Sequence, residues 1–255
     1  MKVIDLFEDE LDGMSEEDKQ QELYNRKQVT MNGDYIQHIK DPSIEVQLLA
    51  VKNSSTAIDD LLNRGFDITP NIQKALVTTH WSGLAILIGN DIIPSLRIQI
   101  LAVSKYAGGI TYIKKPHELV QQAAVKQYGP SIEFIIKNGI TPSNKVQELA
   151  VQQKGESIFH ILQAGIIPSL KLQLLAVQQN GYAIKYLLDA GIKLSKTVIW
   201  TGLTNENIMK RYNKQRYDDV VKQLFPTSSL LVNKWIRYGD RARAQIAKGN
   251  QNESN

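Results

Sequence analysis

From about residue 42 to past residue 200, short apolar runs alternate with polar turns in a recurring order. The clearest copy is 168–193, PSLKLQLLAVQQNGYAIKYLLDAGIK. It reads as two short helices, A and B, joined by a polar turn and closed by a glycine. Helix B is anchored by Ile58, Leu84, Ile110, Ile132, Ile158 and Ile184. Further apolar residues follow three and four positions later, as in Leu61 and Leu62, Ile135 and Ile136, or Leu187 and Leu188. That spacing marks one buried helical face. Helices of two to three turns are marginal alone and need a neighbour to pack on.

A marker glutamine sets the register of helix A: Gln47, Gln73, Gln99, Gln121, Gln147 and Gln173, with Ile199 at the next equivalent place. Every step is 26 residues except Gln99 to Gln121, which is 22. Fixed-period self-similarity is the signature of stacked repeats. The expected fold is all-α: an αα-hairpin repeat solenoid of 26-residue units, with one short 22-residue step and non-repeat helical caps. Helix A is expected to begin at Pro42, Pro70, Pro94, Pro142 and Pro168, with Asp41, Thr69 and Thr141 as N-caps. Ala50, Ala102, Ala124, Ala150, Ala176 and Gly202 share one small-residue position that predicts close approach between neighbouring units. Gly65, Gly139, Gly165 and Gly191 close helix B. Four residues are missing from the connection near Lys114–His117, where the stack is expected to change pitch.

The ends depart from this pattern. Residues 1–34 form an acidic arm with a covering helix expected over about 16–26; 35–203 are the repeat body. A basic helical cap follows over 204–248, and 249–255 is expected to be a disordered tail.

Composition narrows the function classes. The net charge of +4 is too small to argue for nucleic acid by itself, although the chain is basic from Lys210 onward. The absence of cysteine excludes disulfides and thiolate metal sites. No secretory leader or membrane-spanning run is evident, so a cytoplasmic protein is expected.

The phrases DPSIEVQLLAVKN, KKPHELVQQAAVKQYG and VQQNGYAIKYLL resemble the VQLAAVKQNG-type, DUF4116-like helical repeats of bacterial and bacteriophage proteins, over roughly residues 35–200. The resemblance implies a phage or mobile-element accessory protein, a host-factor inhibitor acting in the host cytoplasm. It brings no catalytic residue with it. YLLDAGI is also similar to the second helix of an ankyrin unit, but the period is too short for ankyrin and the TPLH turn is absent.

Candidate chemistry is sparse. His38, His80, His117 and His160 are not spaced as metal ligands, and no phosphate loop, nucleophile elbow or zinc-protease motif occurs. No enzyme activity, cofactor or metal is expected. Two explanations stand for the glutamine ladder: hydrogen bonds between repeats, or a recognition stripe for a protein partner. The stripe comprises Gln47, Gln73, Gln99, Gln121, Gln147 and Gln173 with Lys126, Gln152 and Gln178. The alternative partner is nucleic acid, held by Lys210, Arg211, Lys214, Arg216, Lys234, Arg237, Arg241 and Arg243, with Tyr212, Tyr217 and Tyr238 as stacking platforms. A third reading is a homo-oligomer assembled through the end caps.

Overall fold

The fold is known from a computed structural model, which describes residues 11, 13–205, 208 and 214–252. Among these residues every regular element is helical, and helices separated widely in sequence pack on one another repeatedly, as in a helical-repeat protein. The chain forms two compact units, Met1–Tyr112 and Ile113–Asn255. The division falls inside the 35–203 stretch that the repeats mark as one body, next to the shortened connection.

The first unit contains α1 (Glu16–Met31), a 3-10 turn (Gly33–His38), α2 (Ile44–Asn53), α3 (Ala57–Asn63), α4 (Pro70–Thr79), α5 (Gly83–Gly89), α6 (Leu96–Lys105) and a second 3-10 turn (Ala107–Tyr112). Here α1, α2, α4 and α6 pack in succession as A helices. The predicted covering helix thus runs five residues further, to Met31, because Val29 is fully buried in the position that Val51 holds in α2.

The second unit contains α7 (Glu118–Gln127), α8 (Ile132–Lys137), α9 (Asn144–Gln153), α10 (Ile158–Gln163), α11 (Leu170–Gln179), α12 (Ala183–Asp189) and α13 (Lys196–Thr204). The A helices α7, α9, α11 and α13 again pack in succession, and α8, α10 and α12 line the other side. Helices Lys214–Leu224 and Ser229–Asn252 close the unit by packing on each other. The latter continues past Lys248, since propagation adds one hydrogen bond per residue.

The core is the repeated apolar register. Val120, Ala124 and Val125 of α7 are fully buried, as are Val146, Ala150 and Val151 of α9 and the B-helix anchors Ile132, Ile158 and Ile184. Each such valine or isoleucine contributes about 1.5–3 kcal/mol through burial.

The helix starts differ from expectation. The caps are Ser43, Thr69, Ser95, His117, Ser143, Ser169 and Ser195, not Asp41 or Thr141. Each serine or threonine Oγ accepts the N–H three residues on, as Ser143 does from Val146 at 3.3 Å. Of the five prolines expected to begin helix A, only Pro70 occupies the first helical turn. Elsewhere a serine or histidine follows the proline, so the cap moves one residue along and the proline stays outside the helix. The B-helix stops are as expected: Gly65, Gly139, Gly165 and Gly191 have φ between 72° and 80°. Asp91 takes the same place after α5 at φ 59°, with Ile92 N–H reaching Leu87 O at 2.9 Å.

The backbone around the end of each of the two six-residue 3-10 turns is held by the same register position. Arg64 Nη1 donates to Ile36 O at 3.0 Å and Nη2 to Ile39 O at 2.6 Å. Asn138 Nδ2, the equivalent residue in the second unit, donates to Ile113 O at 3.3 Å.

Candidate functional site: the solvent face of the A helices

The marker glutamines do not form a surface stripe. Gln47, Gln121, Gln147 and Gln173 are buried, and Gln73 and Gln99 are half-buried. Each Nε2 donates to the carbonyl five residues back: Pro42, Ile68, Pro94, Pro116, Pro142 and Pro168, at 2.8–3.0 Å. Every one of those acceptor residues is buried. A buried carbonyl outside a helix needs a partner, and the glutamine supplies it within its own repeat. The marker therefore bonds within its own repeat rather than between repeats, and with four of the six glutamines buried it forms no exposed stripe.

A recurring set of bonds between repeats comes from the end of helix A. Gln153 Oε1 accepts from Gly129 N at 2.7 Å, and Gln179 Oε1 from Gly155 N at 2.6 Å. Asn53 Nδ2 reaches Val29 O at 3.0 Å, and Asn205 Nδ2 reaches Val177 O at 3.1 Å. His80 Nε2 lies 2.8 Å from Val51 O. Sequence reasoning passed over this position. The Gln-Gln pairs ending α9 and α11 were the available signal, because the second glutamine of each pair, exposed like the first, reaches back to the glycine turn of the preceding repeat.

The first members of the pairs belong to the solvent face. Lys126, Gln152 and Gln178 stand five residues after successive markers, and all three are exposed. Half-buried Leu149, Leu174 and Leu175 lie on the same side, with a Lys171–Glu148 ion pair of 2.7 Å bridging α9 and α11. In α13, Trp200 is 59% exposed and meets Trp235 of the terminal helix edge-on at 5.3 Å.

In the first unit the same face carries two adjoining hollows. One, of about 630 Å³, is walled by Leu11, Met14, Ile44 and Leu48 with Glu22, Arg26 and Glu45. Glu22 Oε1 there accepts from Arg26 Nε at 2.8 Å and Ser43 Oγ at 2.6 Å. The other, of about 530 Å³, lies between α4 and α6; Asn71 lines both.

The basic C-terminal set separates into groups. Lys210, Arg211 and Tyr212 lie outside the described residues. Lys214 Nζ is paired with both carboxylate oxygens of Asp240 at 2.7 Å. Arg216, Lys234, Arg237 and Arg241 are exposed, and the last three fall at spacings of three and four on one side of the terminal helix. Arg243 is not a free phosphate contact: its guanidinium sits 5.1 Å above the Tyr217 ring and 3.7 Å from Asp240. Tyr217 is not a stacking platform. It is fully buried, donates to Trp235 O at 3.2 Å, and has its hydroxyl pKa pushed up by burial. Tyr238 is partly exposed and packs edge-on against Trp235.

The histidines make structural contacts. His117 caps α7, its Nδ1 accepting from Leu119 N at 3.2 Å. His160 Nδ1 lies 3.8 Å from Glu133 Oε2, and burial holds its imidazole below the usual histidine range. Among the described residues no three histidine, aspartate or glutamate side chains cluster to hold a metal ion, and no helix is long and apolar enough to cross a membrane. In comparisons with protein-family models, curated proteins and solved structures, nothing matches this chain.

Proposed function

We propose that the chain is a non-enzymatic, protein-binding helical-repeat module built of 26-residue αα units with one 22-residue step. Its binding surface is the solvent face of the A helices. One observation carries this reading. The position five residues after the marker is exposed in three successive A helices as Lys126, Gln152 and Gln178, beside half-buried leucines. Stacked repeats commonly present partners with such a row of polar groups on an apolar bed. The accessory role that the resemblance implies, holding a host factor away from its work, is one that such a surface performs by binding alone.

The test is capture from nuclease-treated lysate by the full chain, compared with a Lys126→Glu, Gln152→Glu, Gln178→Glu variant. A stoichiometric protein partner retained by the first and lost by the second, at equal thermal stability, is the expected result. Equal capture by both would overturn it.

A second reading rests on Lys234, Arg237 and Arg241, exposed on one side of the terminal helix. Such a stripe suits a phosphate backbone. Nuclease-sensitive recovery, with affinity falling steeply as salt rises, would favour it.

A further inference from the structure

The hollow between α4 and α6 differs in charge from its neighbour. Lys74 and Arg97 stand on its rim, and neither is in an ion pair among the described residues. Its wall includes Ile98, Ile100 and Leu101, and Asn71 connects it to the hollow containing Glu22 and Glu45. The groove therefore has a basic end with an apolar wall and an end carrying the Glu22–Arg26 pair and Glu45.

We infer that the Lys74–Arg97 end of this groove binds an acidic peptide segment of a partner protein, one with an apolar side chain beside its carboxylates. This rests on reading the A-helix face as the binding surface and names the partner's chemistry. Two cations without an ion pair among the described residues favour carboxylates, and the isoleucines and leucine take the apolar side chain. A nucleic acid fits less well. Among the described residues no aromatic ring lines the hollow to stack on a base, and Glu45 in the adjoining hollow repels a continuing phosphate chain.

The experiment is fluorescence anisotropy with the full chain and a labelled peptide alternating Asp or Glu with Leu, alongside a peptide in which Lys replaces the acids. The acidic peptide is expected to bind and the basic one not. The paired variant Lys74→Glu, Arg97→Glu is expected to weaken binding by about tenfold or more. The control pair Lys193→Glu, Lys196→Glu makes the same change of net charge on other exposed residues and is expected to leave binding unchanged. No binding, or equal weakening by both pairs, overturns the inference. So does displacement by a single-stranded oligonucleotide that itself depends on Lys74 and Arg97. Binding seen only after removal of residues 1–10 also overturns it, since the chain's own acidic segment would then compete for the groove. Each of these outcomes leaves the test on Lys126, Gln152 and Gln178 standing.

Discussion

Gln153 and Gly129, 24 residues apart, are joined by a 2.7 Å bond in which the side-chain oxygen of α9 accepts the backbone N–H of the preceding turn. The same glutamine Nε2 reaches Gln127 O at 3.4 Å. One amide thereby holds the end of α7 and the turn after it. The approach is close enough to require glycine: a Cβ at residue 129 would stand 2.4 Å from Ala150 O, a backbone atom that cannot swing away. Gly155 meets Gln179 and Ala176 in the same manner. The small residue and the turn glycine of adjacent repeats are thus two sides of one contact.

This pair separates two kinds of damage. Gln153→Ala leaves a part-buried N–H without its partner and is expected to cost about 1–3 kcal/mol. Gly129→Ala forces backbone apart and is expected to cost about 3 kcal/mol. Urea unfolding of both variants checks the order; a Gly129→Ala protein as stable as wild type would contradict the contact.

The marker and the surface glutamines are expected to part company. Gln147→Leu removes the partner of the Pro142 carbonyl and is expected to lower stability by about 1–3 kcal/mol while leaving partner capture intact. Gln152→Glu, on the exposed face, is expected to change capture with stability altered by less than about 0.5 kcal/mol. Melting temperatures and capture yields, measured on the same two proteins, decide it. The reverse pattern would return the marker to the surface.

Asp91 stands where four other B helices end in glycine. A left-handed conformation costs a residue with a Cβ about 1–2 kcal/mol, which glycine's greater freedom in the unfolded chain partly offsets. Asp91→Gly is therefore expected to stabilise by about 0.5 kcal/mol. Gly165→Ala, where nothing lies within 4 Å of the added Cβ, is expected to destabilise by about 1 kcal/mol on backbone grounds alone. Chemical denaturation of both tests the sign; a destabilised Asp91→Gly would mean the aspartate makes a contact that outweighs its backbone.

His160 makes stability depend on pH. Burial depresses its pKa in the folded state, so the unfolded chain takes up the proton first as pH falls. Its contribution is fully present above the ordinary value of 6.5 and is lost as pH drops through the folded value. Glu133 and Lys137 face it and oppose each other: the carboxylate favours the imidazolium and the ammonium disfavours it. Glu133 accepts from Lys137 Nζ, which holds its carboxyl below the usual range and keeps it ionised throughout this window. The melting temperature is expected to fall between about pH 7.5 and about pH 5.5, and to fall less in His160→Phe. An imidazole that titrates at or above 6.5 by proton NMR would remove the cause.

Much of the architecture was legible because its signals are local. The three-and-four spacing after Ile58 or Ile132 and the glycines at 65, 139, 165 and 191 act through neighbours a few residues away. The helix starts were misread by one or two residues because proline and serine stand side by side there. Only the hydrogen bond from Val146 N–H to Ser143 Oγ distinguishes the cap from the residue before it.

By itself, the sequence determined that this is an all-α chain of repeated short helices with glycine stops. Spacing and caps depend on interactions within one turn. The tertiary structure alone decided which polar groups are available. Gln147, Gln152 and Gln153 are chemically identical side chains on one helix, yet the first satisfies its own repeat's Pro142 carbonyl, the second faces solvent and the third holds Gly129. Arg243 likewise reads as a phosphate contact until Tyr217 is found beneath it. Gln153 and Arg243 take their roles from backbone and a ring that folding brings beside them from about 25 residues away, and a local pattern does not contain those partners.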